Sequence, residues 1–473
     1  MGIQKKMIYN FFKNRWKKMI NWERKLFIEA ESVLEKNWRG YYTCPSILLY
    51  PHQWSWDSAF VSMGYAHYDQ QKAEIELLSL FEGQWKNGLL PHIIFHQGGS
   101  SYFPGPSFWD TNRNPNAPTR PITSGIVQPP IHATAALYIY KHASNIEEAR
   151  LFLTYLYPRL VEWHQYLYRE RDPHKEGLVY IRHPWESGQD NSPIWDEPLK
   201  KIPLKHIKIP RFRRIDNKLI NESERPRDED YQRYIFLLNI FRDCEYEEEC
   251  MRYYSPFLIQ DVLFNSLLCK SNRELAEIAK IVGKDGKPWL ELSEWTAQAI
   301  ENKLWDEKHN IYVDYDIVNQ NILDVHIASG FMPLYASIPD SEKIQKMYEY
   351  LNTVCFCQLD EGCYAIPSYD TCGEGFSTSR YWRGPIWLNI NWLLSKGLKN
   401  SGFTDYVDKL DKSIIALPIK HGFYEYFDPV NNQGLGTPDF SWSAALFIDV
   451  LATNRNVLQQ LLLDLEKDFS SSN

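Results

Sequence analysis

No stretch of the chain reaches the roughly 18 clean apolar residues that a membrane-spanning helix needs. The basic, aromatic start, MGIQKKMIYNFFKNRWKKMI, is broken by Asn10, Lys13, Asn14 and Arg15, so it cannot serve as a signal-peptide core. Positive charge is not in excess. The formal net charge of −8 argues against a nucleic-acid or membrane-surface partner, since both need a positive field. Cysteine is sparse, at eight in 473 residues, with no repeated CxxC pairs. Cys355, Cys357, Cys363 and Cys372 cluster, but no His stands at ligand spacing among them. Reduced thiols in a cytoplasmic protein are therefore expected, with no metal and no cofactor.

What the sequence has in abundance is aromatic rings, 17 Trp and 30 Tyr, on an ordinary background of 44% apolar and 24% charged residues. Most of these rings belong to a large core. Several sit beside Gly, Pro and Asp instead, where an indole or phenol can stack on a sugar or offer its polar tip to a ligand.

Helix dominates the pattern. Residues 11–37 are expected to form one amphipathic helix. PPIHATAALYIYKHA (129–143), RGPIWLNINWLLSKGL (383–398) and FSWSAALFIDVLA (440–452) are apolar nearly all round, which predicts burial on every side. Two of them carry proline where a first turn would tolerate it. TDYVDKLDKSIIAL (404–417) instead sets Tyr406, Leu410 and Ile414 on one stripe. A short connector recurs between helices: GLLPHI at 88, GLVYIRHP at 177, NIYVDYD at 310, GCYAIPSYD at 362 and GFYEYFDP at 422. Alternation over so few residues predicts strand-like turns rather than a sheet. Buried and half-buried helices in alternation, joined by such connectors, fit an (α/α)6 barrel, a closed toroid of helical hairpins, with all 473 residues in one domain. Residues 197–230 carry three prolines before Arg211 and no helical stripe, and are expected to form a long lid loop over a central funnel.

If the connector loops share one face, chemistry converges there. HQWSWDSAF (52–60) brings Trp54, Trp56 and Asp57, although Asp57 could equally cap a helix. SGIVQPP brings Gln128, and HPWESGQDNSP brings Trp185, Glu186 and Asp190. SRYWRGPIW brings Tyr381, Trp382, Arg383 and Trp387; GFYEYFDP brings Glu425 and Asp428. Aromatic walls with several carboxylates describe a sugar site, and glycoside hydrolysis needs two carboxyl groups across the scissile bond. Asp190 and Glu425 form the best pair. Trp185 and its apolar neighbours could keep a proton on Asp190, and Glu425, between Tyr424 and Tyr426, could hold a water.

These five motifs, in this order from about residue 40 to 450, resemble glycoside hydrolase family 63, most closely its mannosylglycerate and glucosylglycerate hydrolases. The resemblance implies an inverting mechanism with Asp190 as general acid and Glu425 as general base, their carboxyls roughly 6.5–9.5 Å apart. It also implies a small-molecule glycoside with a carboxylate aglycone. Such an aglycone wants an arginine, which points to Arg225 in the lid with Arg214 as the alternative. Tyr50, Tyr102 and Gln128 would assist, and Tyr381, Trp382, Trp387, Trp56 and Asp57 would hold the sugar. A homo-oligomer is compatible with the sequence. Two other functions compete: hydrolysis of a neutral α-glucoside on the same toroid, and sugar binding without catalysis. A terpene-cyclase-like or farnesyltransferase-like toroid lacks its Asp-rich or zinc signature here.

Overall fold

Helices that are apolar on all sides alternate along the chain with helices apolar on one stripe. In the computed structural model, which describes residues 22–96, 102–204, 214, 216–356, 365–458 and 460–461, this alternation becomes two layers. In chain order the longer helices are α1 (22–37), α2 (Ser55–Tyr65), α3 (Gln70–Phe81), α4 (His132–His142), α5 (Ile146–Arg171) and α6 (Asp228–Asp243). They continue with α7 (Val262–Ile281), α8 (Lys287–Lys303), α9 (Ser341–Leu351), α10 (Leu388–Asn400), α11 (Thr404–His421) and α12 (Ser441–Thr453). Helices α2, α4, α7, α10 and α12 pack side by side with the 3₁₀ segment Ala328–Leu334 into an inner ring, which closes where α12 meets α2. Each is followed or preceded by an outer helix, α1, α3, α5, α8, α9 or α11. This is the (α/α)6 toroid.

Burial follows the residue pattern. Every residue of α12 from Ser441 to Leu451 is buried, and α10 is buried from Leu388 to Leu398 apart from Lys396. In α11 the expected stripe of Tyr406, Leu410 and Ile414 faces inward. Small residues set the ring closure: a Cβ on Gly64 of α2 would stand 2.6 Å from Ala445 of α12. The sixth inner position is not an α-helix because Pro333 interrupts it and Gly330 presses on Ile311 and Tyr312 with no room for a side chain.

Several boundaries differ from expectation. Pro129, Pro130 and Pro385 lie ahead of α4 and α10 rather than in their first turns. At the second site the cause is pairing: Ile386 bridges both Pro367 and Phe427, which keeps the backbone extended up to Trp387. The connectors also pair into small antiparallel sheets. Gln53–Trp54, Ile93–Phe95 and Ile122–Thr123 make one, and Ile259–Gln260, Tyr315–Asp316 and Asn321–Ile322 another. The lid is less bare than expected, with short helical turns at Asp196–Lys200, Asp216–Leu219 and Glu222–Glu224, and α6 begins at Asp228. Residues 205–213 and 215 of the lid, like residues 11–21 of the expected N-terminal helix and Cys357 and Cys363, lie outside the described residues. The thiols are not all reduced: Cys244 and Cys250 are disulfide-bonded across the turn after α6, where their Cα atoms come within 5.6 Å. No described helix is long and apolar enough to cross a membrane.

Candidate active site

Four inner helices present their N-terminal ends at the same mouth of the ring. Trp56 and Asp57 open α2, Gln128 precedes α4, Trp387 caps α10 and Trp442 opens α12, and all five line one cavity of about 240 Å³. Helix N-termini carry partial positive charge, so their convergence suits carboxylates and anionic ligands. The volume falls just under the usual range of about 300–1,000 Å³ for ligand cavities, which suits a small substrate.

Aromatic rings form the floor and walls. Trp382 and Trp387 stack with centroids 3.8 Å apart and planes 3° from parallel, and Trp387 Nε1 donates to the Tyr381 carbonyl at 3.0 Å. Tyr381 itself sits at φ +41°, an unfavourable conformation for a bulky residue, and such strain is found where a side chain must be aimed. Trp56 meets Trp442 edge-on at 5.4 Å and lies flat against Gly188. A Cβ at Gly188 would stand 2.5 Å from the Trp56 ring and φ there is +73°, so only glycine lets the Asp190 loop approach α2 this closely. Trp54, Tyr102 and Trp185 complete the wall. Asp57 is not a helix cap: Trp54 occupies the N-cap of α2, and Asp57 lines the cavity.

The two catalytic candidates, Asp190 and Glu425, line the same cavity. Burial pushes the Asp190 carboxyl up to about 7, with Arg225 pulling the other way and the charge of Glu425 adding to the rise. Burial also raises Glu425, but its charged form is supported by Arg225, by the Tyr50 hydroxyl donating to Oε1 at 2.8 Å, and by the Thr437 N–H. Asp57 is raised well above the carboxylate range, by burial and by Glu425 and Asp190 beside it. The site thus separates carboxyls that hold a proton from one that can give it up.

Arg225 comes in from the lid. Its Nε donates to Asp216 Oδ2 at 3.2 Å and its Nη2 to the Tyr50 hydroxyl at 3.0 Å, while the guanidinium lies over the Tyr381 ring at 4.2 Å. Nη1 stands 3.7 Å from Glu425 Oε1 and, among the described residues, has no hydrogen-bond partner. Arg214, the alternative, is tied up instead by Asp216, Asp228 and the Pro226 carbonyl. Gln128 accepts the Trp56 N–H at 3.2 Å through Oε1, which turns its amide nitrogen away from that bond. Arg383 pairs with Asp196 rather than lining the cavity, and Asp428 caps its own turn, accepting from the Val430 and Asn431 N–H groups.

One expected wall residue is placed elsewhere. Glu186 is fully buried behind the cavity, paired with Arg171 at 2.8 Å and accepting the N–H groups of Val127 and Arg182. Burial opposes its charge, but Arg171 and Arg182 hold its pKa at about 2. It pins the Asp190 loop to the end of α5. Glu186→Ala should therefore cost about 3–5 kcal/mol of stability at pH 7, measured by denaturant unfolding, because two buried guanidiniums, Arg171 and Arg182, are then left to share the single carboxylate of Glu248. A depressed carboxylate pKa stabilises above the unfolded value of about 4.3, so in the parent this contribution should fade as pH drops from there toward 2.

Sequence reasoning missed Asp216, Tyr231, His92, Phe440 and Trp442 in the cavity lining. Asp216 had one signal: an acid between two lid arginines. Trp442 was hidden by its place in a helix apolar on all sides.

The sequence matches, over residues 50–443, the family described as mannosylglycerate hydrolase MGH1-like glycoside hydrolase domain. It is 46% identical over 426 residues to a mannosylglycerate hydrolase of Rubrobacter radiotolerans, covering 90% of this chain and 96% of that one. It is 33% identical to a glucosylglycerate hydrolase of Mycolicibacterium hassiacum, covering 90% and 97%. The fold superposes with a TM-score of 0.84 on the crystal structure of a GH63 mannosylglycerate hydrolase from Thermus thermophilus in complex with Tris and D-glycerate, 40% identical over 89% of this chain and 99% of that one.

Proposed function

The chain belongs to the mannosylglycerate hydrolase MGH1-like glycoside hydrolases of family 63, and from that premise we propose that it hydrolyses 2-O-α-mannosyl-D-glycerate, 2-O-α-glucosyl-D-glycerate or both, with inversion, to a free hexose and D-glycerate. The observation that carries the aglycone is Arg225: a buried guanidinium, anchored by Asp216 and Tyr50, whose Nη1 has no hydrogen-bond partner among the described residues and only a 3.7 Å ion-pair contact with Glu425. A neutral disaccharide has no carboxylate for it to bind.

Asp190, which keeps its proton near neutrality, gives it to the glycosidic oxygen as the bond to the anomeric carbon breaks. Glu425 takes a proton from a water whose oxygen attacks that carbon from the opposite face. Glycerate leaves with its carboxylate on Arg225. A protonated Asp57 donates a hydrogen bond to a sugar hydroxyl, and the Trp382–Trp387 stack lies under the ring. Mannose and glucose differ only at C2, so one hydrogen-bonding side chain sets the preference.

Proton NMR of the reaction tests this directly. The hexose released first should be the β-anomer, with the α-anomer growing in by mutarotation. Early α-anomer would refute inversion, and release from a neutral α-glucoside alone would refute the glycerate aglycone.

A further inference from the structure

Away from the cavity, two connectors bring two histidines and two aspartates together. Asp306 ends the strand Trp305–Asp306, which pairs with Ile311–Tyr312, and the turn between them returns His309 Nδ1 to 2.6 Å from Asp306 Oδ2. The next connector supplies Asp324 and His326, with His326 Nε2 3.1 Å from Asp324 Oδ1. Asp324 Oδ1 is in turn 3.7 Å from His309 Nδ1. All four donor atoms lie within 4.8 Å of one another. Tetrahedral zinc, with bonds of about 2.0–2.1 Å, holds its ligand atoms about 3.3 Å apart, so small side-chain adjustments would seat it.

A second observation concerns the far side of His326. Its Nδ1 lies 2.8 Å from the Tyr350 hydroxyl, which donates to Asp370 Oδ2 at 3.3 Å. With the Tyr350 proton given to Asp370, His326 Nδ1 is the donor to the hydroxyl and Nε2 turns its lone pair toward Asp324, which is the tautomer that a metal ligand needs. In that tautomer Nε2 and Asp324 Oδ1, 3.1 Å apart, are both acceptors that a cation between them would satisfy. The arrival of His309 Nδ1 and Asp306 Oδ2 at the same point favours the ion. An imidazole whose other nitrogen is held by a hydrogen-bonded chain is also how metal-bound histidines are oriented. The second oxygen of Asp306 is fixed as well, accepting the Lys308 N–H at 2.9 Å.

We propose that Asp306, His309, Asp324 and His326 bind one first-row divalent cation, zinc fitting the two-nitrogen, two-oxygen set best. Two carboxylates and two neutral imidazoles balance its charge. The role is a brace rather than catalysis. The ion ties the Trp305–Tyr312 hairpin to the segment entering Ala328–Leu334, the inner-ring member that is not an α-helix. Ser329 in that segment donates to Gln189 Oε1 at 2.9 Å, next to Asp190.

The test is equilibrium dialysis of the metal-free full-length chain against Zn²⁺, with Co²⁺ as an optical probe of ligand type and thermal unfolding as a second readout. One zinc per chain is expected at this site, with a rise in Tm. His309→Ala and Asp324→Asn should each weaken it at least about 100-fold, and Tyr350→Phe about 10-fold. Asp324 is more than half exposed, so its variant should fold normally even if His309→Ala does not. Cys355 and Cys372, with Sγ atoms 3.3 Å apart beside Asp370, are the competing ligands. Zinc binding that survives Asp324→Asn but is lost in Cys355→Ser, or cobalt spectra with thiolate charge-transfer bands alone, would overturn the proposal. So would no binding at all.

Discussion

Asp190→Asn should lower kcat on the preferred glycosylglycerate by about 10²–10⁴-fold, and Glu425→Gln by a similar factor. The two losses have different signatures. An α-glycoside with an acidic phenol as leaving group needs little protonation, so Asp190→Asn should recover much of its activity there. Glu425→Gln should not, because activation of the water is still missing. Equal losses on both substrates in both variants would contradict the assignment of acid and base. The pH profile gives a second check. Activity needs Glu425 ionised and Asp190 protonated, so the alkaline limb in the parent should reflect a group near 7, where burial places Asp190. In Asp190→Asn that limb should disappear while the acid limb stays.

Arg225→Ala should lower kcat/KM on glycosylglycerates by about 10²-fold, the scale of losing a buried charged hydrogen bond of roughly 2–4 kcal/mol. Most of this should appear in KM. Cleavage of a neutral α-glucoside should change far less, and equal effects on both substrates would remove Arg225 from the aglycone site. A shift of the pH profile should accompany the loss. Arg225 lowers the pKa of both Asp190 and Glu425, so its removal raises both. The acid and alkaline limbs should therefore both move to higher pH.

The toroid was legible because three inner helices announce themselves by being apolar on every side. A helix such as α12, with Asp449 its sole charge, has nowhere to go but between layers. The sixth inner member was not legible, since Pro333 and Gly330 erase the helical period while the ring still accepts the segment. At the site, aromatic residues next to turn residues and carboxylates marked the cavity wall well, and the cavity gathers every expected substrate-binding residue except Glu186. Glu186 failed because a loop glutamate beside a Trp can turn either way. Its direction was decided by Arg171, the last residue of a helix whose end the sequence does not tie to that loop. The four-ligand cluster was invisible for a similar reason: its halves sit on separate connectors, and neither half has a recognisable metal spacing.

Closure of the ring between α12 and α2 bears on when the enzyme can exist. Asp57 belongs to the first inner helix, Glu425 to the connector before the last, and Trp442 to the last itself. A chain emerging from the ribosome makes the acid long before the base, and cannot assemble the pocket until almost its entire length is free to fold. Local hairpins of neighbouring helices can form early, but the contact between Gly64 and Ala445 joins the two extremes of the ring and comes at the greatest loop-closure cost. Turnover therefore requires synthesis through α12. A chain terminated before α12 would lack both the ring closure and the Trp442 wall of the cavity, and should show no activity.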